Sequence, residues 1–254
     1  MSQVYLTFLL IFPKNFLGFP SILRHPQQVA VLDRQLAVFH FFFLRLCLIR
    51  QQVLNGFIFN GKQVIKPEML ADTNTSSYYK ANGEIHGQDR DVAKLLTIDK
   101  TKVIISLVGI ENQTRPDKYM PARVMNYDAA AYRYQLTKRK TLYPVLTLVV
   151  YYGKEAWSYN RNLLGNINMQ KLPKEMQPLI SDYEIKAFYR ISDLSAQELD
   201  KRFRSAFFCL AEYFIQTNAG EEYHPSAKKL SIEDILLLLD MMNALSGTML
   251  MTSY

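Results

Sequence analysis

A mostly apolar run from Val103 to Ile110 leads directly into Glu111, Asn112 and Gln113. A run of this length and composition predicts a buried strand. Because side chains alternate along a strand, Glu111 and Gln113 are expected to project together from its end. Ionised acids are rarely buried without a partner, so this end of the strand is the first candidate for a functional site.

The residues before this strand predict a hairpin that brings a second acid to the same place. The span 92–110 contains two short extended runs around a polar turn at residues 99–101. A hairpin with its midpoint near Thr101 places Asp91 opposite Glu111. Directly paired residues lie about 5 Å apart, which suits two carboxylates that share one divalent cation.

Other interpretations of these residues stay open on the pattern alone. Asp91 also suits the N-cap of a helix that begins with Val92, and such a helix would remove the hairpin. Asp89 could replace Asp91 in another register. Glu111 could be an ordinary acid at a strand end, and Gln113 a polar strand cap.

A helix is predicted after the Glu111 strand, with Asp117 as its cap and Pro121 in its first turn. Its apolar residues recur at steps of three and four and form one stripe: Met120, Val124, Tyr127, Ala131 and Tyr134. Tyr127, on the stripe, is interpreted as core rather than catalytic. Arg123 lies off the stripe, and it could pair with Asp117 or Asp128 or contact a ligand.

The next apolar run, Tyr143–Tyr152, predicts a central strand that ends at Gly153. Strand, helix and strand in this order form a βαβ crossover, which predicts parallel pairing in a mixed sheet. A further strand is expected within 183–191, and amphipathic helices over 196–216 and 231–245. Trp157 is expected to anchor the loop that follows the central strand.

Two segments before the hairpin are also assigned from their composition. Asn60 and Gly61 predict a turn. Residues 71–88, rich in Thr, Ser, Asn and Gly, are interpreted as a polar, mobile loop.

Residues 1–52 differ in composition from the rest of the chain. Asp33 is the only acid before Glu68, and ten of the fifteen phenylalanines lie in the first sixty residues. The apolar runs here are shorter than a bilayer span, and no basic segment precedes the first run. An atypical N-terminus is therefore favoured over a membrane or signal segment. Cys47 and Cys209 lack metal-ligand spacing and indicate buried thiols in a reducing compartment.

The net charge of +7 is concentrated after the candidate strand. Between residues 112 and 161 there are nine basic and three acidic residues; the basic ones are Arg115, Lys118, Arg123, Arg133, Lys138, Arg139, Lys140, Lys154 and Arg161. Such a patch attracts polyanions, and Lys and Arg supply most non-specific nucleic-acid affinity. A solvated face is the alternative.

Together these residues are the parts of a site for metal-assisted phosphodiester hydrolysis. Mg²⁺ prefers oxygen ligands and commonly takes one or two carboxylates with waters and phosphate oxygens. Asp91 and Glu111 would hold the ion, with Mn²⁺ as a substitute. Gln113 can orient an attacking water through a hydrogen bond. No Gly-rich phosphate loop or histidine motif suggests another mechanism.

Residues 109–136 and 143–153, with Arg90-Asp91-Val92 and Glu111-Asn112-Gln113, resemble the recombination-promoting nucleases (Rpn), also called YhgA-like putative transposases. The similarity runs from about residue 53 to 245. That family belongs to the PD-(D/E)xK nuclease superfamily. The resemblance implies an α/β fold, with a restriction-endonuclease-like mixed sheet flanked by helices and a helical C-terminal part.

The activity implied by the resemblance is that of a Mg²⁺-dependent DNA endonuclease acting in recombination, in the bacterial cytoplasm. Asp91, Glu111 and Gln113 match the catalytic motifs, and DNA contacts are expected from Arg115, Lys118, Arg123 and Arg133. DNA is the expected partner, with no membrane and no small-molecule cofactor, and homo-oligomerisation stays open.

The chain departs from the family pattern at its N-terminus, because an acid usual in the first helix is replaced by Gln52. We expect residues 1–52 not to pack as that helix does, residues 53–195 to form the nuclease-like core, and residues 196–254 to form a helical extension. The rival to an active nuclease is an inactive DNA-binding or partner-binding module with the same fold.

Overall fold

The computed structural model describes residues 51–73, 76–81, 84–89, 91–98, 103–138, 142–226 and 230–231, and single positions from 235 to 245. The chain divides into two units, 1–44 and 45–254, and all described residues lie in the second. The predictions for residues 1–50, including Cys47, and for the turn at 99–101 lie outside the described residues.

A five-stranded mixed sheet forms the centre of the second unit. Its strands are β1 (Leu70–Asp72), β4 (Val92–Ile98), β5 (Val103–Gln113), β6 (Val145–Tyr151) and β7 (Ala187–Arg190), in the order β1-β4-β5-β6-β7. The first three strands pair antiparallel, and β5, β6 and β7 pair parallel. The predicted hairpin, the parallel crossover and the last strand are therefore confirmed.

The predicted polar loop at 71–88 is wrong, because this segment is mostly extended. Its first residues belong to β1, and β2 (Ser76–Ala81) pairs antiparallel with β3 (Glu84–Asp89) over six residue pairs. The prediction gave weight to the polar composition. Tyrosine, threonine and isoleucine in the segment favour strands, and strand propensity depends on context more than on polarity.

Helices pack on both faces of the sheet, which makes the fold α/β as predicted. On one face a large core includes side chains of the helices of residues 51–57 (α1) and Ser205–Ala219 (α4). On the other face Met120 and Val124 of the helix Met120–Lys138 (α2) pack on Val149, Tyr151 and Phe188. This three-layer arrangement agrees with a restriction-endonuclease-like core.

The helix α1 is fixed to the sheet and to the loop that follows it. Val53, Leu54 and Phe57 are buried in the large core. The side chain of Asn55, also fully buried, accepts a hydrogen bond from the Ile65 N–H at 2.8 Å and donates one to the Ile65 carbonyl at 2.7 Å. These two bonds close the loop between α1 and the sheet.

Two predictions concern the surroundings of α1: a turn at Asn60 and Gly61, and a domain boundary after residue 52. Asn60 and Gly61 adopt positive φ angles of 52° and 85°, so the predicted turn is confirmed. Gln51 and Gln52 are already helical. The predicted domain boundary after residue 52 therefore falls inside α1, and the domain division itself stays a prediction.

The predicted helix over 196–216 is two helices, α3 (Ala196–Arg202) and α4. The break is at Phe203, which has an extended backbone (φ −126°, ψ 150°) and is almost fully buried. Its ring centroid lies 4.8 Å from those of Phe57 and Phe207. A continuous helix was the wrong prediction because it followed periodicity alone, and the burial of this ring requires the chain to turn.

The predicted burial of the apolar stripe of α2 is confirmed for its first three residues and is wrong for its last residue. Met120, Val124 and Tyr127 are buried, but Tyr134 is 52% exposed. Gln135 takes the buried position instead, and its Oε1 accepts a hydrogen bond from the Tyr143 N–H at 2.8 Å. A polar residue suits this position because the backbone N–H of Tyr143, in the chain that enters β6, requires an acceptor there.

The remaining predicted elements agree with the described residues. Trp157 lies against Tyr151 and Phe188, with ring centroids 5.2 and 4.8 Å away, so it anchors the loop after β6 as predicted. Cys209 is a buried thiol in α4, as predicted. The described positions between 235 and 245 are helical, and Leu238 and Met242 reach the large core.

Within the described residues, no helix is both long and apolar enough to cross a bilayer.

Candidate functional site

Glu111 has no exposed surface at the end of β5. It lies beside Val149 in the parallel register and therefore faces the α2 side of the sheet. The Nη2 atom of Arg123, on α2, lies 3.6 Å from its Oε2 atom. Burial of an ionised carboxylate is costly without a nearby positive charge, and Arg123 supplies one.

Asp91 lies at the start of β4, next to Glu111 across the hairpin. Val92 pairs with Ile110, so one further step of the register puts Asp91 opposite Glu111, as predicted. The exposed Asp91 accepts a hydrogen bond through Oδ2 from the Asn112 N–H at 2.7 Å. Since that nitrogen is joined to Glu111 through one carbonyl carbon, Asp91 Oδ2 lies within about 5 Å of the Glu111 Cα.

The alternative in which Asp91 caps a helix is wrong, because residues 92–98 form β4. The alternating apolar residues of this segment find a buried antiparallel partner in β5, and that tertiary pairing outweighs the local helix-start signal. Asp89, the substitute acid, is the last residue of β3, where it pairs with Ser76.

The environment of Asp91 extends to Tyr152, the residue after β6. Burial raises the pKa of the Tyr152 hydroxyl, and the negative charge of Asp91 raises it further. The Tyr152 N–H also donates to the Gln113 carbonyl at 2.8 Å. These interactions connect the start of β4 with the ends of β5 and β6.

Gln113 lies two residues after Glu111 on β5 and opposite Tyr151 of β6. The alternation of the strand directs it to the same face as Glu111. It is partly exposed, whereas Glu111 is fully buried. An amide here can donate to or accept from a water or substrate oxygen at the surface.

Arg123 joins Glu111 to a second acid, Asp117. The Nη1 atom of Arg123 donates to Asp117 Oδ2 at 3.0 Å, which is shorter than its contact with Glu111. Burial lowers the pKa of Arg123, but a hydrogen bond to Tyr127 and the nearby acids Asp117 and Glu111 raise it above its ordinary value. The guanidinium therefore remains charged. The predicted alternative, in which Arg123 pairs with Asp117, is confirmed. The contact of Arg123 with Glu111 was not predicted.

Asp117 also accepts hydrogen bonds from the backbone at the start of α2. Its Oδ1 accepts a hydrogen bond from the Tyr119 N–H at 2.8 Å, and its carbonyl accepts one from the Met120 N–H. This is the turn that starts α2, in agreement with the predicted capping by Asp117. One carboxylate thus sets both the start of the helix and the position of Arg123.

The donor set fits a hard divalent cation. Asp91, at the start of β4, contributes an exposed carboxylate, and Glu111, near the end of β5, contributes a buried one. Mg²⁺ commonly takes one or two carboxylates and completes its shell with water and phosphate oxygens. Among the described residues there is no group of three or more His, Cys, Asp and Glu side chains that could hold a metal.

The four basic residues predicted to contact DNA occupy different positions. Arg115 and Lys118 are exposed in the connection between β5 and α2, directly after the candidate site. Arg123 is partly buried in the ion pairs described above. Arg133 is exposed ten residues farther along α2, which is about 15 Å along the helix axis. Of the four, Arg123 contacts Glu111 directly, and Arg133 lies farther along α2.

Sequence reasoning missed a polar cluster behind the site. Asp128 on α2 accepts hydrogen bonds from the Thr147 hydroxyl at 2.7 Å and the Tyr183 hydroxyl at 2.6 Å. Thr147 pairs with Gly109 of β5, two residues before Glu111. The cluster holds α2 on the sheet, and its only sequence signal is the polar Thr147 within an apolar strand.

A buried lysine was also missed. Lys94 on β4 is only 2% exposed and forms an ion pair with Asp72, its direct partner on β1. Lys94 shares the alternation of Val92 and therefore faces the large core, away from Glu111. The ion pair links β4 to β1 and is not part of the candidate site.

A family model described as putative transposase, YhgA-like, matches residues 87–231. The chain belongs to that family. The matched part of this YhgA-like chain begins before Asp91 and includes Glu111, Gln113, α2 and the parallel strands. The resemblance seen in the sequence is confirmed over this range. No curated protein and no solved structure matches the chain.

Proposed function

We propose that this YhgA-like protein is a metal-dependent DNA endonuclease that hydrolyses phosphodiester bonds and promotes recombination. The observation that carries the proposal is the position of Asp91, bonded to the Asn112 N–H beside the buried Glu111. Family membership supports action on DNA. The remaining parts of the proposal assign a task to each side chain.

Asp91 and Glu111 would hold Mg²⁺, or Mn²⁺ in its place. When bound, the ion supplies Lewis-acid activation of a water and neutralises charge on the reacting phosphate. Gln113 hydrogen-bonds the attacking water and orients it toward phosphorus. Arg123, charged and adjacent to Glu111, attracts the phosphate and offsets the charge of the carboxylate.

The substrate is DNA, and its backbone would contact the exposed Arg115 and Lys118 after β5. Each phosphate contact adds affinity that decreases with salt concentration. Arg133 would contact DNA farther along α2. The proposed site of action is the bacterial cytoplasm, where chromosomal DNA is accessible; a second copy of the chain is not required by any of these roles.

The alternative function is that of a DNA-binding module without turnover. Gln113 favours it, because many nucleases of this superfamily have lysine at that position and the amide brings no positive charge. The contact of Arg123 with Glu111 also favours it, since a cation already lies beside the proposed metal ligand. Both functions require DNA binding, and only the nuclease requires divalent metal for cleavage.

The test compares Glu111→Gln with Glu175→Gln, an exposed acid outside the site. Nicking of supercoiled plasmid is measured against Mg²⁺ and Mn²⁺ concentration, and DNA binding is measured in Ca²⁺. We expect the wild-type protein and Glu175→Gln to nick the plasmid. Glu111→Gln should lose at least a hundredfold in rate and keep its DNA affinity.

Thermal unfolding of both variants controls for loss of the fold. DNA binding by a folded wild-type protein that nicks at no concentration of either metal would overturn the nuclease and favour the binding module. Equal nicking by Glu111→Gln and wild type would show that Glu111 is not a metal ligand.

A further inference from the structure

A cleft of about 630 Å³ with mixed polar and apolar walls adjoins the connection that follows the proposed catalytic site. One wall contains Lys118, from the connection between β5 and α2. The other wall is the segment 158–170, which follows β6 and which we call the cleft loop. The loop therefore leaves the sheet at the end of the strand next to Glu111.

The cleft is joined to the site through a short chain of contacts. Glu111 lies 3.6 Å from Arg123, and Arg123 lies 3.0 Å from Asp117, the neighbour of Lys118. Arg123 and the peptide bond between Asp117 and Lys118 therefore connect Glu111 to the cleft wall. A DNA strand that passes over Glu111 reaches Lys118 within a few nucleotides, since each adds about 3.4 Å.

Hydrogen bonds hold the cleft loop in one shape. Asn166 Nδ2 donates to the carbonyls of Asn160 and Asn162 at 2.7 and 3.0 Å, and Asn160 Nδ2 donates to the Gly165 carbonyl at 2.8 Å. A Cβ at Gly165 would lie only 2.7 Å from the Asn160 side chain, so this close packing requires glycine.

Asp182 fastens the same loop from outside. Its carboxylate accepts hydrogen bonds from the Leu164 N–H at 2.9 Å and from Asn162 Nδ2 at 2.7 Å. A loop constrained at both positions loses little conformational entropy when it binds a ligand. The cleft is therefore a preorganised surface rather than a gap between mobile segments.

The chemistry of the cleft matches a nucleotide. Among the described residues that line it, Lys118 is the only charged one, and no acid is present. Tyr159 lines the cleft with 40% of its surface exposed, and Asn168 and Gln170 add exposed amides. An ammonium group binds a phosphate, an exposed aromatic ring stacks on a base, and amides bond to base edges.

We propose that this cleft binds one nucleotide of the DNA strand beside the cleavage position, with its phosphate on Lys118 and its base on Tyr159. The proposal rests on the proposed function for the identity of the polymer. It adds a contact to the base, which phosphate attraction alone does not provide.

The test is binding of a fluorescein-labelled single-stranded octanucleotide to the full chain in Ca²⁺, where no cleavage is needed. Lys118→Ala is compared with Lys174→Ala, an exposed lysine outside the cleft, and Tyr159→Leu with Tyr134→Leu, an exposed tyrosine of α2. We expect each cleft variant to lose about fivefold or more in affinity, and each control less than twofold.

An octanucleotide without bases separates stacking from charge. Tyr159→Leu should leave its affinity unchanged, whereas Lys118→Ala should weaken it. Trp157, the single tryptophan, adjoins the cleft loop, and its fluorescence should change with the normal octanucleotide.

Wild-type binding with cleft variants equal to their controls would overturn this inference and leave the nuclease proposal standing. Failure of the folded wild-type protein to bind the octanucleotide would overturn the cleft proposal, and failure to bind plasmid DNA as well would overturn both. Base-dependent binding without metal-dependent nicking would support the cleft and overturn the nuclease alone.

Discussion

The guanidinium of Arg123 lies 3.6 Å from the carboxylate of Glu111, which has no exposed surface. A metal ion bound to Glu111 would be a second positive charge at the same carboxylate. Arg123 has a nearer partner in Asp117, at 3.0 Å. Because Asp117 holds Nη1 while Nη2 stays 3.6 Å from Glu111, we expect Asp117 to limit how closely Arg123 approaches the proposed metal ligand and to act as a positioning residue.

Asp117→Asn is expected to increase the Mg²⁺ concentration needed for half-maximal nicking, by up to about fivefold, because the pair is partly exposed. Asparagine keeps the Oδ1 acceptor for the Tyr119 N–H, so the start of α2 is preserved. The same variant should show a smaller Mg²⁺-induced rise in Tm. Asp193→Asn, which changes an exposed acid near Arg190, is the control. An unchanged Mg²⁺ requirement would contradict the positioning role.

Gln135→Leu is expected to lower the free energy of unfolding by about 1–3 kcal/mol, because the Tyr143 N–H would lose its acceptor in a buried place. Urea denaturation measures the change. Leu136→Ala, at a 68% exposed position on the same helix, should change stability by less than about 0.5 kcal/mol. A stable Gln135→Leu protein would show that water or a shift of the backbone replaces the amide.

Tyr183→Phe is expected to cost about 1–2 kcal/mol, because it removes a charge-assisted hydrogen bond of 2.6 Å to Asp128 and leaves the ring in place. Tyr134→Phe, with an exposed ring, is the matched control. Equal denaturation midpoints for the two variants would show that the Tyr183 hydroxyl does not stabilise the fold. The hydrogen bond from Thr147 to Asp128 would then be the one that holds α2 at this position.

The stability of the cleft loop should depend on pH through Asp182. The hydrogen bond from Asn162, with those from the Leu164, Tyr183 and Leu163 backbone, lowers the pKa of Asp182 below its ordinary 3.8. A lowered pKa means that the stabilisation is complete above the ordinary value and is lost as pH falls through the folded value. The Tm difference between wild type and Asp182→Asn should be constant above about pH 5 and shrink below 3.8. A difference that persists unchanged at pH 2.5 would contradict this linkage.

The central elements were predictable because their signals are local. The apolar runs on either side of residue 101 pair as expected, but the one-residue register shift between Leu96 and Thr97 was not predicted. The parallel crossover follows from element order, since a helix between two buried strands leaves few alternatives. The position of Asp91 opposite Glu111 also depends on that shift, because the register of Ile98 with Val103, continued along the strand, would pair Asp91 with Ile110.

The parts that escaped prediction depend on distant neighbours. Phe203 breaks a helical pattern because Phe57, far away in the chain, receives its ring. Gln135 replaces Tyr134 in the buried stripe because of the backbone at Tyr143. The contact between Arg123 and Glu111 required the packing of α2 on β6 and β7, which no spacing in the sequence encodes.

The sheet described above ends in two very short strands, β1 with three residues and β7 with four. Open strand edges are templates on which other chains assemble, and longer flat edges favour fibrils. In the described part of this chain, another protein chain could form only a few backbone hydrogen bonds with β1 or β7. Self-association by edge-to-edge pairing of this five-stranded sheet is therefore disfavoured.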